Sequence, residues 1–181
     1  MEQFGDRPVR VCANLPYYIT SPILMAILEG VKPSEKPQVQ SVTVLVQSEV
    51  ADRLCAPVGG KDCGAITASL AYYGEAERLF SVPADLFVPQ PKVNSAVVRI
   101  RMYKEPPFAL KNEKVFFRTI KASFEQRRKT LPNSLMTGFP ELGKARLSEI
   151  IESCGISPTI RGERLTLEEF RKLSDALADE I

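Results

Sequence analysis

The amino-acid sequence predicts an α/β fold followed by a segment made of helices alone. Up to about residue 105, short apolar runs typical of strands alternate with runs of helical spacing, as in a sheet flanked by helices. After Pro106 and Pro107 every periodic segment has helical spacing. The chain has 181 residues, of which 44% are hydrophobic, enough for one core and a small second domain. We therefore expect an α/β domain over residues 1–105 and a helical domain over residues 106–181.

The first domain contains four predicted strands and three predicted helices. The strands are VRVCAN (9–14), SVTVLVQ (41–47), EAERLFSV (75–82) and SAVVRIRMY (95–103), the last with arginines facing outward. The helices cover residues 20–30, 48–56 and 65–74. The β-branched run at 41–47 is typical of a buried parallel strand. Thr20 or Ser21 is predicted to cap the first helix, with Pro22 in its first turn and Gly30 at its end.

The second domain contains three predicted amphipathic helices. The first covers residues 112–128 and places four apolar residues on one face, Val115, Phe116, Ile120 and Phe124. The second, over 144–155, ends at Gly155. The third begins after Thr166, with Glu169 three residues later as a capping box.

The composition excludes several kinds of chemistry. The chain has no histidine, which removes Ser-His and Cys-His nucleophile systems and the commonest general base. Its four cysteines form no CxxC pair, so we expect reduced, mostly buried thiols and no bound metal. No apolar run approaches the roughly 18 residues of a membrane span, and no leader segment is evident. We therefore expect a cytoplasmic protein with no membrane partner.

Positive charge is concentrated in one window of the sequence. The net charge is only +2. Residues 114–129, however, hold six basic side chains against the single acid Glu125: Lys114, Arg118, Lys121, Arg127, Arg128 and Lys129. Such a window predicts a nucleic acid or another polyanion as partner. A solvated helix face is the alternative.

The first strand ends abruptly at Asn14-Leu15-Pro16-Tyr17. A plain turn is one interpretation, because Asn and Pro often terminate strands. The other is a pocket for a flat base that carries an amino group. The Asn amide oxygen and a backbone carbonyl fixed by Pro could accept the amino hydrogens, and the Tyr could stack on the base. The base would then be held in line with a sulfonium methyl. Open α/β sheets bind ligands at this end of their strands.

A second aromatic residue precedes the last strand. Phe87 lies in LFVPQPKVNSAVVRI, on a loop stiffened by Pro89 and Pro91 that leads directly into the strand. Such a loop could hold the ring against the other face of a base. A core phenylalanine beside a strand entry is the alternative.

Six motifs in sequence order carry a resemblance to a known family. They are NLPYYITSPIL, LVQSEVADRL, GGKDCGAITASLAYYG, FVPQPKVNSAVV, FFRTIKASFEQRRKTLPNSL and RGERLTLEEFRKL. With them the chain resembles the ribosomal RNA adenine N,N-dimethyltransferases of the kasugamycin-sensitivity type, relatives of the erythromycin-resistance methyltransferases. The resemblance implies part of a Rossmann-like class I methyltransferase sheet without its N-terminal strands, followed by a small helical domain that docks ribosomal RNA.

The resemblance also implies roles for individual residues. Asn14 and the backbone at Leu15 and Pro16 would accept hydrogen bonds from the target amine, and Tyr17 and Phe87 would stack on the adenine. Asn14 would lie beside the methionine end of S-adenosylmethionine.

The implied reaction is dimethylation, dependent on S-adenosylmethionine, of the exocyclic amines of adjacent adenines in small-subunit (16S) rRNA. The implied partners are this rRNA and the immature small ribosomal subunit. The candidate phosphate contacts, which position RNA without reading its sequence, are Arg118, Lys121, Arg127, Arg128 and Lys129.

The chain departs from the family pattern at its beginning, which resembles the family's fourth strand. The glycines of PVGGKDCG follow a helix rather than a strand, so they do not fit a cofactor loop. We therefore expect a truncated chain that lacks most of the cofactor site and is inactive alone, with a strand at residues 8–13 whose open edge favours self-association. A non-enzymatic rRNA-binding or ribosome-assembly module is the alternative function. A DNA adenine methyltransferase is a third interpretation, which the FEQRRKTL segment and the helical tail argue against.

Overall fold

The computed structural model describes residues 8–30 and 39–181, which form two compact units. The first comprises the described part of Met1–Ala56 together with Leu70–Pro107, and the second comprises Pro57–Ser69 together with Phe108–Ile181. The last point at which the chain passes from the first unit to the second lies after Pro107, beside the proline pair. The predicted domain boundary at residue 105 stays a prediction. In the structure Pro57–Ser69 groups with the second unit, where Gly59 packs closely against the Leu165 backbone.

A four-stranded mixed sheet forms the first unit, in the order β1-β2-β4-β3. The strands are β1 (Val9–Asn14), β2 (Val39–Gln47), β3 (Gly74–Val82) and β4 (Ser95–Met102). β1 pairs with β2 in parallel, whereas β4 pairs antiparallel with both β2 and β3. β1 therefore lies at the edge of the sheet in the described part of the chain. That this edge pairs with another copy stays a prediction.

Residue alternation along the central strands explains why the sheet forms here. Val44 of β2 and Val98 of β4 face each other in register, and both are fully buried. On the other face, Arg99 and Arg101 of β4 both bond the carboxylate of Glu77 on β3. One face therefore packs in the core and the other is solvated, as strand alternation requires. The prediction that the β4 arginines face outward is confirmed.

Seven helices are described: α1 (Thr20–Gly30), α2 (Ser48–Leu54), α3 (Ala65–Tyr73), α4 (Glu113–Glu125), α5 (Leu131–Gly138), α6 (Gly143–Ser153) and α7 (Leu167–Ala178). Three details differ from the expectations. Thr20 does not cap α1 but is its first residue, after a 3-10 turn over Tyr17–Ile19. The second helix ends at Leu54, two residues early, and α5 was not predicted.

The core of the second unit is built on α4, which packs against α5 and α7. Phe116 and Ile120 of α4 are fully buried, as the helical spacing predicts. Phe124 stacks on Phe170 of α7 with ring centroids 6.1 Å apart. The predicted capping box at the start of α7 is confirmed by bonds in both directions between Thr166 and its third helical residue.

All four cysteines are free thiols, but only Cys63 is buried, so the prediction of mostly buried thiols is wrong. Cys12 is exposed because it lies on the solvated face of the edge strand. Within residues 8–30 and 39–181, no cluster of three acidic, cysteine or histidine side chains suits a metal ion. None of the described helices is both long and apolar enough to cross a membrane.

Candidate functional site

The sheet brings the two aromatic motifs of the sequence to one edge. The carboxyl ends of the parallel strands β1 and β2 lie at this edge, since Asn14 is in register with Leu45. The amino end of the antiparallel strand β4 lies there too, because Ser95 pairs with Gln47 of β2 and with Val82 of β3. The NLPY segment follows β1, and the loop that carries Phe87 runs from β3 into β4. Both therefore extend from the edge where α/β sheets bind ligands.

The NLPY segment makes a tight exit from β1. Asn14 is the last strand residue and is exposed, whereas Leu15 is buried and its N–H donates to the Leu45 carbonyl at 3.4 Å. Pro16 has φ −60° and ψ 130°, which turns the chain into the 3-10 turn that opens α1. The proline ring allows only such φ values, so the sequence fixes one of the two backbone torsions of this exit.

Hydrogen bonding distinguishes the two candidate carbonyls of this segment. The Pro16 carbonyl accepts from the N–H of Ile19 at 3.3 Å and from the hydroxyl of Thr20 at 3.0 Å. A carbonyl oxygen has two lone pairs, so Pro16 has no capacity left for a ligand. No hydrogen bond to the Leu15 carbonyl or to the Asn14 amide is found within the described residues. Asn14 Oδ1 and the Leu15 carbonyl are therefore two acceptors that this segment can offer to an amino group.

Tyr17 is held in place by a side-chain hydrogen bond. Its hydroxyl lies 2.6 Å from the hydroxyl of Ser95, which is fully buried at the start of β4. The Tyr17 ring is half-buried, whereas the neighbouring Tyr18 is 86% exposed. A fixed ring with one accessible part suits stacking on a flat group, so the structure favours Tyr17 over Tyr18 for this role.

Phe87 is half-buried and follows a 3-10 turn over Ala84–Leu86. Its N–H donates to the Ala84 carbonyl at 3.3 Å. The N–H of Ala84 in turn donates to Asn94 Oδ1 at 3.0 Å, so the turn is fastened to the residue just before β4. The loop that carries Phe87 is thereby held at both ends, and its Val88–Pro89 peptide bond is cis.

Four supporting residues were not predicted from the sequence as part of the site: Thr20, Ser48, Asn94 and Ser95. The N–H of Ser48 donates to the Asn94 carbonyl at 3.0 Å, and its hydroxyl lies 3.4 Å from the Ser95 carbonyl. All four are small polar residues at the ends of strands or helices. Their sequence signals are that position, which is common to ordinary caps and turns, and their place inside three of the six motifs of the sequence.

The glycine-containing loop at residues 57–64 does not have the form of a cofactor cradle. It runs from α2 to α3, whereas a cradle joins a strand to a helix. Gly59 has φ +80°, and a Cβ there would lie 3.3 Å from the Arg164 carbonyl oxygen. The glycine therefore serves this left-handed turn and close packing. The placement of Asn14 beside S-adenosylmethionine stays a prediction.

The five predicted RNA contacts fall into two groups. Arg118 is engaged: it donates to the Gly138 carbonyl, pairs with Glu141 at 2.9 Å and lies 4.3 Å from the centroid of the Phe139 ring. Arg127 Nε lies 3.5 Å from a carboxylate oxygen of Glu163. The other three are exposed and have no ion pair within the described residues: Lys121, Arg128 and Lys129.

Two further exposed arginines lie close to the end of α4. Arg161 and Arg164 flank or end the 3-10 turn Gly162–Arg164. Gly162 is buried against Ser123 of α4, so closely that a Cβ at Gly162 would overlap the Ser123 carbonyl oxygen. These two arginines were not predicted as RNA contacts, because the RGER segment has no marked charge excess in the sequence.

A shallow cavity opens beside this group of cations. Its volume is about 380 Å³, and its lining residues are Gln126, Lys129, Asn133, Met136 and Thr137. We call the exposed cations at the end of α4 and in the adjoining turn the basic surface: Lys121, Arg128, Lys129, Arg161 and Arg164.

Comparisons with known proteins show which family the chain belongs to. A family model described as "Ribosomal RNA adenine dimethylase" matches residues 3–179. The chain is 44% identical over 182 residues to the ribosomal RNA small subunit methyltransferase A of Lachnoclostridium phytofermentans, covering 99% of the chain and 61% of the relative. It is 46% identical over 180 residues to the protein of that name from Bacillus mycoides, covering 97% of the chain and 60% of the relative. The chain thus spans about three fifths of the length of these relatives.

Two solved structures share the fold. One is a dimethyladenosine transferase from Plasmodium falciparum, with a TM-score of 0.73 and 21% identity over 91% of this chain and 64% of that one. The other is the 23S rRNA methyltransferase ErmE, with a TM-score of 0.62 and 23% identity over 95% of this chain and 66% of that one. At such identities these likenesses concern the fold alone. Since the family model matches nearly the whole sequence, the chain belongs to the ribosomal RNA adenine dimethylase family.

Proposed function

We propose that this chain forms the target-base and RNA-docking side of an enzyme that dimethylates the exocyclic amines of adjacent adenines in small-subunit (16S) rRNA, with S-adenosylmethionine as methyl donor. The partners are this rRNA and the immature small ribosomal subunit. The observation that carries the proposal is the exit of β1, where an exposed Asn14 amide adjoins the Leu15 carbonyl, for which no hydrogen-bond partner is found among the described residues.

The acceptor step follows from the electronic structure of adenine. The lone pair of its exocyclic nitrogen is delocalised into the ring, which makes the nitrogen a poor nucleophile. Two acceptors that draw the amino hydrogens out of the ring plane favour a tetrahedral nitrogen, and no strong base is needed. Asn14 Oδ1 and the Leu15 carbonyl would be these acceptors. The Pro16 carbonyl is engaged by Thr20 and would hold the turn instead.

Base binding would rest on the two aromatic residues at the sheet edge. A target adenine must leave its stack in the RNA to reach the site, and stacking on aromatic side chains compensates for that cost. Tyr17 and Phe87 are both half-buried. Tyr17 is bonded to Ser95 at the start of β4, and the turn before Phe87 is bonded to Asn94. They would hold the base plane while the two acceptors hold its amine.

RNA docking would use the basic surface and the helices around it. Contacts of lysine and arginine with phosphates position RNA without reading its sequence. We propose Arg128 and Lys129 as principal contacts, with Lys121, Arg161 and Arg164 extending the surface. Arg127 would contribute through its pairing with Glu163, which fastens the adjoining turn to the segment just after α4.

S-adenosylmethionine supplies the methyl group. Asn14 would lie beside the methionine end of this cofactor, but the described residues form no cradle for its other parts. The part played by this chain would therefore be to bind the RNA and to orient the adenine amine toward the methyl donor.

A methyl-transfer assay tests the proposed reaction. The chain is assayed alone and fused to the part of the Lachnoclostridium relative that the alignment leaves uncovered, with labelled S-adenosylmethionine, immature small subunits and, separately, duplex DNA. We expect the fusion to methylate the subunits and not the DNA. Asn14→Ala should abolish turnover without changing RNA affinity, while Asn14→Asp, which keeps an acceptor oxygen, should retain part of it. Full turnover by Asn14→Ala would refute the acceptor role.

The salt dependence of RNA binding tests the docking surface. Affinity for RNA decreases with salt, and the steepness of log affinity against log salt becomes smaller by roughly 0.7 to 0.9 for each phosphate contact that is lost. We expect such a decrease for Arg128→Ala and for Lys129→Ala. Lys144→Ala removes an exposed lysine of α6 and is the matched control, for which the slope should not change. Wild-type slopes for all three variants would show that the basic surface does not contact RNA. Salt-sensitive binding without methylation by the fusion would favour the non-enzymatic module.

A further inference from the structure

Two neighbouring residues, Asn94 just before β4 and Ser95 at its start, are bonded to the segments that carry the two aromatic residues of the candidate site. Ser95 bonds the Tyr17 hydroxyl, and the side chain of Asn94 bonds the turn that leads to Phe87. Tyr17 and Ser95 are 78 positions apart in the sequence, so this hydrogen bond exists only in the folded sheet. Neither Asn94 nor Ser95 would touch the target base.

Ser95 is a rigid anchor. It is fully buried and lies in the interior strand β4, paired with Gln47 on one side and Val82 on the other. Its carbonyl also accepts the Ser48 hydroxyl at 3.4 Å. The hydroxyl of such a residue has a fixed position, and the Tyr17 hydroxyl lies 2.6 Å from it. The Tyr17 ring is thus fixed at its Cα and at its far end, which restricts rotation about both side-chain torsions.

Asn94 acts on the other aromatic residue through the backbone. Its Oδ1 accepts from Ala84 N–H at 3.0 Å, and the Ala84 carbonyl accepts from Phe87 N–H at 3.3 Å. The Asn94 carbonyl is itself held by the Ser48 N–H at 3.0 Å. A shift at Asn94 would therefore move the segment that carries Phe87.

We propose that Ser95 and Asn94 are positioning residues that set the orientation of Tyr17 and Phe87 for stacking on the target base. This inference rests on the proposed function, because it concerns the same two rings. Its physical basis is preorganisation: a ring already held in its bound orientation loses less conformational freedom when the base stacks on it.

The test measures stacking apart from electrostatics. Two oligouridylates are used as probes, one carrying a single 2-aminopurine and the other an abasic site at that position. The ratio of their affinities for the 181-residue chain isolates the stacking of the base, because both probes carry the same phosphates. The orientation of Tyr17 is followed separately by NMR of tyrosine labelled in the ring with carbon-13, and its signal is assigned by its loss in Tyr17→Phe.

We expect Ser95→Ala to give the Tyr17 ring a mobile signal and to lower the affinity ratio about fivefold, the effect of one ordinary hydrogen bond. Tyr17→Phe should lower the ratio equally, and the double variant should lower it no further. Asn94→Ala should lower the ratio, whereas Asn94→Asp, which keeps the acceptor oxygen, should restore it. Ser174→Ala removes another buried hydroxyl, in α7, and should change neither the NMR signal nor the ratio.

Each contrary outcome has a distinct meaning. Additive effects of Ser95→Ala and Tyr17→Phe, or a Tyr17 signal unchanged by Ser95→Ala, would overturn the inference. If Ser95→Ala fails to fold, Tyr17→Phe removes the same hydrogen bond from the side of Tyr17, which is less buried. An unchanged affinity ratio for Tyr17→Phe would then refute the positioning role of Ser95. An unchanged ratio for Tyr17→Ala would instead refute the proposed function, because the ring itself would not stack on the base. A loss for Tyr17→Ala with none for Ser95→Ala would refute only the inference.

Discussion

Replacing Arg118 by alanine tests whether this arginine stabilises the fold or contacts RNA. The sequence predicts that Arg118 contacts phosphate, since it lies in the basic window of α4. In the folded chain its guanidinium bonds the Gly138 carbonyl, pairs with Glu141 and lies over the Phe139 ring. These contacts join α4 to the end of α5. We therefore expect Arg118→Ala to lower the free energy of unfolding and to leave the salt dependence of RNA binding unchanged.

The magnitude follows from the three contacts. A hydrogen bond from a charged donor contributes about 1.5 kcal/mol at the lower end of its range. An exposed ion pair adds about 0.5 kcal/mol, and the Arg118 and Glu141 side chains are indeed 41% and 43% exposed. The guanidinium over the ring adds about 0.5 kcal/mol at such a site. The free energy of unfolding should thus fall by roughly 2 to 3 kcal/mol. For a slope near 2 kcal/mol per M, this lowers the urea midpoint by about 1 to 1.5 M.

Urea unfolding followed by the helical circular dichroism signal measures the first effect, and RNA titrations at several salt concentrations measure the second. Arg118→Lys keeps the charge but loses the planar fork and the ring contact, so it should lose most of the same stability. The reasoning is refuted if Arg118→Ala unfolds at the wild-type midpoint, or if its salt slope decreases as much as that of Arg128→Ala.

Three further predictions concern packing and ionisation. Gly162→Ala should cost about 1 to 3 kcal/mol in urea unfolding, because its methyl would overlap Ser123; a wild-type midpoint would contradict that packing. The hydrogen bond from Arg99 lowers the pKa of Glu77, so its stabilisation is present above the ordinary glutamate pKa and lost as the pH falls through the lowered value. The stability difference between wild type and Glu77→Gln should therefore be largest near neutral pH and vanish in acid, whereas a constant difference would exclude the ion pair as its source. Burial raises the pKa of the Cys63 thiol, so Cys63 should be the slowest of the four cysteines to react with iodoacetamide in the native chain, and mass spectrometry of timed samples checks the order.

The elements with strong periodicity could be predicted from the sequence. The central part of β2 is a run of β-branched and apolar residues, and α4 repeats apolar residues at helical spacing over thirteen positions. α5 was missed because its eight residues LPNSLMTG are too few to show a period, and Pro132 lies in its first turn. Its helical form depends on burial of Leu131 and Leu135 against the rest of the second unit, a tertiary effect that local propensity does not contain.

The candidate site was predictable only where it is local in sequence. The end of β1 at Asn14 follows from the strand pattern and the proline two residues later. The choice between the Leu15 and Pro16 carbonyls depends on the Thr20 hydroxyl, which the sequence pattern favours as a helix cap. A hydroxyl at a helix start can bond forward or backward along the chain, and only the backbone path after Pro16 decides which.

Charge in a sequence window is a poor guide to charge on a surface, as the second unit illustrates. Two of the five predicted RNA contacts are paired with acids from remote segments, Arg118 with Glu141 and Arg127 with Glu163. The turn that packs on α4 through Gly162 carries two exposed arginines, Arg161 and Arg164. The exposed positive charge of the second unit therefore comes partly from residues outside the basic window of the sequence. Neutralising Arg161 or Arg164 should then reduce the salt slope of RNA binding as much as neutralising Arg128 does, although neither lies in the basic window of the sequence.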